Sequence, residues 1–488
     1  MKKRIFLVLA LAVVVLASVL VVNTFRFTSK QIQVETVEPL GVDEGAAAGR
    51  LAGALRFQTV SFEEQGRVRG EEFAGLHRYL EENFPKAHAA MERESVGGYS
   101  LLYTWRGRDE GLKPVLLAAH QDVVPVGPET LAGWEQPPFE GRVAGGYVWG
   151  RGALDDKSSL LAVMEAAEAL VGEGFRPRRT IYLAFGADEE VGGAGGAAKV
   201  AELLLARGVA LEYVLDEGLA VTEGIIPDVS RPVATVGVAE KGFVSLELIV
   251  DGVGGHSSMP PPQTAVGILG AAVARLEGRQ MPASLDGVTR QLLEHVGPEM
   301  PFSKRLVMAN LWLFGPLVER KLAESPGTNA GVRTTTAATL IGGGVKENVL
   351  PSSARAVVNF RILPGDSIDG VVAHAREAVA DPRVKISRLG AFAAEPSPVS
   401  GTDTVGFQTV RRTVRQVFPD TLVAPALVLG ATDARHYARL TTDIYRFSPM
   451  RLRRDDLERL HGTNERISVK DYAACVRFYH RLIRNSAQ

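Results

Sequence analysis

The chain has 488 residues, 46% hydrophobic and 23% charged, a globular balance able to bury a large core in two or three domains or in one interrupted domain. A net charge of −1, with no basic stretch interleaved with aromatics, speaks against nucleic acid as a partner. The single cysteine, Cys475, rules out an internal disulfide; within DYAACVRFYHRLI it reads as small core filler on an amphipathic C-terminal helix.

Lys2, Lys3 and Arg4 precede an apolar run over residues 5–22, broken only by Ser18. That is about the ~18 residues a spanning helix needs, and the basic flank favours an N-terminus on the inner side. No clean small-x-small cleavage site stands before Asn23, so residues 1–23 read as a transmembrane signal anchor, with a cleaved signal peptide as the alternative. Either places the rest outside the cytoplasm, periplasmic or extracellular. Residues 24–42 are polar and aperiodic and read as a tether.

Helices are predicted over 45–55 and 71–83, the second with Phe73, Leu76, His77 and Leu80 at helical spacing. Apolar runs at 115–119, 180–185 and 213–215 read as buried parallel strands, with a helix at 155–170 among them. In open α/β sheets ligands gather at the carboxyl ends of such strands. His120 ends the first run, with Asp122 two residues on. Glu189 and Glu190 follow the second, and Asp216 closes the third. Asp155 lies in a glycine-flanked loop, WGRGALDDK.

After residue 237 the pattern changes. Strands at 241–250, 334–341, 354–362 and 384–389, with helices at 264–276 and 366–379, suit a small α+β unit with an antiparallel sheet. Residues 280–333 form an extra helical insertion. From about residue 397 the first pattern resumes and carries His461. The predicted plan is α/β: a catalytic domain with a mixed, mainly parallel sheet (43–237 and 395–488) interrupted by an α+β lid or dimerisation domain (238–394).

Taken singly, each carboxylate could be a cap, a turn former or a solvated charge. Asp122 and Asp156 alone suit turns, and His77, His88, His295, His374, His436 and His480 read as structural or exposed. Asn348 reads as a turn residue. Jointly, three strand ends with ligand-type side chains and a glycine-framed aspartate point to metal. Imidazoles and carboxylates without thiolates suit Zn²⁺, with Co²⁺ or Mn²⁺ fitting the same donors. A divalent pair lowers the pKa of water to about 7. Asp155, in its close-approach loop, is the natural bridge, and Asp122 would hold the second nitrogen of His120. Of Glu189 and Glu190, one can ligate while the other handles a proton; the residues alone leave open which.

The segments LLAAHQDVVPV, WGRGALDDKSSLLAVMEA, AFGADEEVGGAGG, LDEG, GGHSSMPP, VNFRILPG, GATDAR and RLHGTNERIS resemble, in order, those of the M20 family of dinuclear zinc peptidases and amidohydrolases, above all its carboxypeptidase S and PM20D1-like branch. The resemblance implies His120 and Asp216 on one zinc, Glu190 and His461 on the other, and Asp155 bridging. It implies Glu189 as general base, a cis peptide after Asp155, and His256 of the lid stabilising the oxyanion. In dimeric members that histidine reaches a partner's site; in monomeric ones an insertion can replace the partner, so the segment 280–333 leaves a homodimer open. Arg361 resembles the lid arginine that grips a substrate carboxylate, and Gly430, Thr432, Asp433 and Arg435 stand in the substrate-carboxylate loop. The expected activity is hydrolysis of an amide beside a free carboxylate in short peptides, in the manner of a Gly-Xaa carboxypeptidase. The alternatives are an N-acyl or N-fatty-acyl amino-acid amidohydrolase and, from another class, a non-catalytic membrane-tethered binding protein. The last is disfavoured by the presence of Glu189 and every expected ligand.

Overall fold

The computed structural model describes residues 1–62, 68–390 and 393–487. An exposed apolar helix, α1 (Lys2–Arg26), opens the chain. By length and composition it could cross a membrane. Three helices, α2 (Glu44–Ala54), α3 (Gly70–Asn83) and α4 (Pro85–Ala90), lead to β1 (Glu92–Val96), β2 (Ser100–Trp105) and β3 (Val115–His120). A ribbon of β4 (Arg142–Ala144) and β5 (Tyr147–Trp149) precedes α5 (Lys157–Gly172), β6 (Ile181–Gly186), α6 (Ala197–Ala206), β7 (Tyr213–Thr222) and β8 (Val233–Glu240). The interrupting region contains β9 (Gly242–Asp251), β10 (Gly255–His256) and α7 (Ala265–Gly278). Four helices follow: α8 (Gly287–Val296), α9 (Phe302–Ala309), α10 (Leu311–Leu322) and α11 (Pro326–Val332). It ends with β11 (Thr335–Gly343), β12 (Val349–Leu350), β13 (Ser353–Ile362), α12 (Ile368–Val379) and β14 (Val384–Arg388). The first fold resumes with α13 (Val405–Val417), β15 (Leu422–Val428), β16 (Ile444–Leu452), α14 (Arg454–Leu457), β17 (Arg466–Ser468) and α15 (Val469–Ser486).

The large sheet has the order β1-β2-β6-β3-β7-β16-β8-β15. Its centre is parallel: β6, β3, β7 and β16 run together, and β15 runs parallel to β8. Continuous apolar sequence accounts for this. Every residue of VLLAAH and IYLAFG is buried, as strands covered on both faces must be. One face is covered by α2, α5, α13 and α15 in the main core; α6 covers the other. The fold is thus α/β with a mixed, mainly parallel sheet.

The lid sheet is antiparallel, in the order β11-β13-β9-β14. Strand β9 alternates buried and half-buried positions, the period of two that GFVSLELIV shows in sequence. Its buried side packs on α7 and α12 through Leu246, Leu248, Leu269, Phe360 and Val371. Lys241, at the hinge, donates to the carbonyls of Ala330 and Arg333, tying the helical insertion to the entry into the lid. Burial pulls its ammonium down to about 8, with Arg361 adding to the effect.

Three local expectations need correction. The helix expected from Asp155 starts at Lys157, with Asp156 as its N-cap residue and the cis Asp155–Asp156 peptide ahead of it. The strand expected to end near Asp216 continues to Thr222, because it pairs again with β16 from Leu219 onward. The polar stretch after α1 is no free tether. Gln31 accepts from the Val423 N–H and donates to its carbonyl, covering part of edge strand β15, and Lys30 pairs with Glu294 of α8.

Candidate metal centre

His120 lies at the end of β3, fully buried. Its Nε2 is 2.8 Å from one oxygen of Asp155. The other Asp155 oxygen is 3.1 Å from Nε2 of His461, which is also 3.3 Å from Glu190. One carboxylate thus faces two imidazoles that lie 341 positions apart in sequence. His461 reaches the site from a loop, with its backbone at φ 57°, in the left-handed region. Asp155 follows the β4–β5 ribbon, and its N–H is held by Glu465.

Asp122 organises the rim. Its carboxylate accepts from the Ser61 hydroxyl and from the N–H groups of Glu189 and Glu190, fixing the turn after β6. Nδ1 of His120 is 3.0 Å from the Asp122 carbonyl and 3.5 Å from its carboxylate. The main-chain oxygen of Asp122 is thus the nearer acceptor for that nitrogen.

Two groups of donors converge on His120: Asp155 with Glu190, and Glu189 with Glu217, each set of atoms lying within 4.8 Å. Asp216 belongs to neither. Glu217, its neighbour, comes within 3.9 Å of His120 Nε2. The ladder of β7 with β16 slips here: Asp216 is opposite Arg446, and Leu219 is opposite Phe447. Glu217 and Gly218, the latter at φ 140°, fill the slip. Such a bulge re-aims a side chain, and here it turns Glu217 to the rim. Asp216 stays buried, one oxygen accepting from the Glu217 N–H and the other lacking a partner. In sequence the pair DEG offered two carboxylates, and only the strand slip distinguishes them.

Burial alone would lower the His120 imidazole, but Asp122 and Asp155 hold it well above its ordinary value. Asp155 and Glu190 raise His461 to about 10. Burial pushes Glu189 and Glu217 well up; Asp433 and Asp155 add to the first, Asp155 and Asp156 to the second. Oε1 of Glu190 is buried without a hydrogen-bond partner. Clustered carboxylates, two imidazoles and an orphaned buried oxygen fit hard to borderline divalent cations.

Sequence reasoning missed a support pair. Arg151 and Glu465, both buried, meet at 2.5 Å. Glu465 also accepts from the N–H groups of Gly152, Leu154 and Asp155, and Arg151 donates to the carbonyls of His461 and Gly462. The loop with Asp155 and the loop with His461 are thereby locked together. The GRG and TNE triplets show glycine and polar residues but nothing of their pairing.

The sequence pattern of peptidase family M20/M25/M40 matches residues 116–485. The chain belongs to this family. This M20 chain is a hydrolase of peptide or amide bonds. It is 43% identical to "Probable carboxypeptidase S-like 2" of Dictyostelium discoideum, over 96% of this chain and 91% of that one. It is 45% identical to "N-fatty-acyl-amino acid synthase/hydrolase PM20D1" of Xenopus tropicalis, over 89% and 85%. In fold it is similar to an M20 metallo-carboxypeptidase of Sulfolobus solfataricus, with a TM-score of 0.65 at 17% identity over 91% of this chain and 99% of that one.

The remaining sequence candidates divide. His256 is exposed on the β10–β12 ribbon, where its Nδ1 accepts from Ser258; among the described contacts, none joins it to the metal cluster. Arg361, at the end of β13, stacks over Phe243 at 4.8 Å. Burial lowers its guanidinium, and the charge of Arg435 lowers it further. Arg435 donates to the Gly192 carbonyl, just beyond the two glutamates. Gly430 is exposed. Thr432 and Asp433, expected at the substrate, point inward instead. Thr432 donates to Glu240 and caps the turn at Ala434. Asp433 is buried against Gly193, where any side chain would collide with its carboxylate.

Proposed function

We propose that this chain hydrolyses an amide bond beside a free carboxylate, with two zinc ions held at the rim of the sheet. The observation that carries the reading is Asp155, whose two oxygens address His120 at 2.8 Å and His461 at 3.1 Å. His120 and Glu217 would hold one ion and Glu190 and His461 the other, with Asp155 between them. Glu217 here takes the place expected of Asp216, which supports it from behind. Bound there, the ions would bring the pKa of water near 7 and polarise the substrate carbonyl. Glu189, beside Glu190 at the rim, takes the proton of the attacking water and returns it to the departing amine. Arg361 of the lid and Arg435 of the catalytic domain, two cations close enough to repel, suit the substrate carboxylate.

His256 would complete the oxyanion site from outside. Edge strand β11 leaves Leu340 and Ile341 exposed, which favours a second copy of the chain pairing there and supplying His256. Short peptides of the Gly-Xaa kind are the first substrate class. The relative named for N-fatty-acyl-amino acids, together with α1, favours N-acyl amino acids as the second reading. In both, α1 would anchor the chain with its catalytic part outside the cytoplasm, unless it is removed as a signal peptide.

Purified protein with zinc, assayed on a panel of dipeptides and N-acyl amino acids, tests the reading. Activity should require the free carboxylate. Glu189→Gln should keep its metal by elemental analysis and lose roughly 10²–10⁴-fold in kcat. Near-full turnover in that variant would remove Glu189 from the mechanism.

A further inference from the structure

The helical insertion does more than pack on the lid hinge. Its α9–α10 junction seats the end of α1. Asn310, fully buried (0% exposed), donates to the Leu20 carbonyl at 3.1 Å and accepts from Asn23 at 2.8 Å. The Trp312 indole N–H donates to the same Asn310 oxygen, and Phe25 faces Phe302 at 6.3 Å between ring centroids. Asn310 thus ties the last turns of α1 to the body.

Beside this seat the exposed surface is apolar where a solvent-facing helix would be polar. Trp312 is 61% exposed, Leu317 62% and Phe302 54%. On α10 the exposed row Trp312, Leu313, Pro316 and Leu317 is followed by exposed Arg320 and Lys321, and Lys304 is exposed on α9. Aromatics backed by basic residues, at the end of a spanning-length helix, match the chemistry of the bilayer interface.

We propose that Phe302, Trp312, Leu313 and Leu317 lie in the lipid interface beside α1 and give the chain a second membrane contact. The inference rests on the reading of α1 as a retained anchor. Its occupant is lipid because the patch is continuous with α1 and fixed to it by Asn310, at the level where that helix leaves the membrane. A one-point anchor on a free tether would let the catalytic part tumble; a clamped helix with an adjoining interfacial patch holds it in one orientation.

The full chain, reconstituted in phosphatidylcholine vesicles with or without bromine on the acyl chains, tests this. Flotation after alkaline carbonate reports the anchor; tryptophan fluorescence reports the patch. Brominated lipid should quench the wild-type chain, and Trp312→Phe should lose most of that quenching while hydrolysing a soluble substrate at the wild-type rate. A chain that floats but shows equal quenching in both forms, or none, overturns the interfacial patch and leaves the anchor standing. A chain that does not float overturns both.

Discussion

Glu217 and Asp216 are adjacent carboxylates with opposite environments. The slip in the β7–β16 ladder brings Glu217 to 3.9 Å from His120 and leaves Asp216 buried behind it. Glu217→Gln should reduce bound metal toward one ion per chain, and Asp216→Asn should retain two; elemental analysis of dialysed protein separates them. The imidazoles set the pH dependence of loading. In the metal-free chain His461 is raised to about 10, so it is protonated at neutral pH, and its proton must leave before a cation binds. The sign follows. The stabilisation of the metal-free fold by this pairing is complete below the ordinary histidine value of about 6.5 and fades as pH rises through about 10. Zinc affinity should rise over the same range. Calorimetric zinc titrations at pH 7, in buffers of different ionisation enthalpy, should register proton release; none would contradict the protonated state.

At the scale of elements, the site is a junction of loops on a rigid sheet. β3, β6 and β7 are legible because buried parallel strands are continuous apolar runs, and their lengths came out within a few residues except where β7 resumes pairing beyond its slip. The loops are less legible, because their geometry is set by partners distant in the chain. Glu465 gathers three N–H groups of the Asp155 loop while Arg151 reaches the loop of His461. Glu465→Gln would leave a buried guanidinium without its counter-charge and should cost about 3–5 kcal/mol in denaturant unfolding. Metal content should fall with it, since both loops lose their common fastening.

Across the whole molecule, the α/β body and the antiparallel lid have separate cores joined at Lys241. His256 sits on the lid, exposed, and no described contact joins it to His120, Asp155, Glu190 or His461. If a second copy supplies it across β11, then mixing Glu189→Gln chains with His256→Ala chains, each nearly inactive alone, should recover part of the activity, and light scattering should give the mass of a dimer. No recovery, with a monomer mass, would assign closure to lid movement within one chain. The sequence by itself determined the α/β class, the interrupting α+β unit, the apolar N-terminal helix and the candidacy of His120, Asp155, Glu190 and His461 as a donor set. Periodicity, apolar runs and donor chemistry are local properties that a linear reading can see. Only the tertiary structure decided that Glu217 rather than Asp216 faces His120, that Thr432 and Asp433 turn inward, that Arg151 and Glu465 join the two loops, and that the segment after α1 lies along the body. Each depends on which distant segment packs opposite a residue, and chain order carries no such distance.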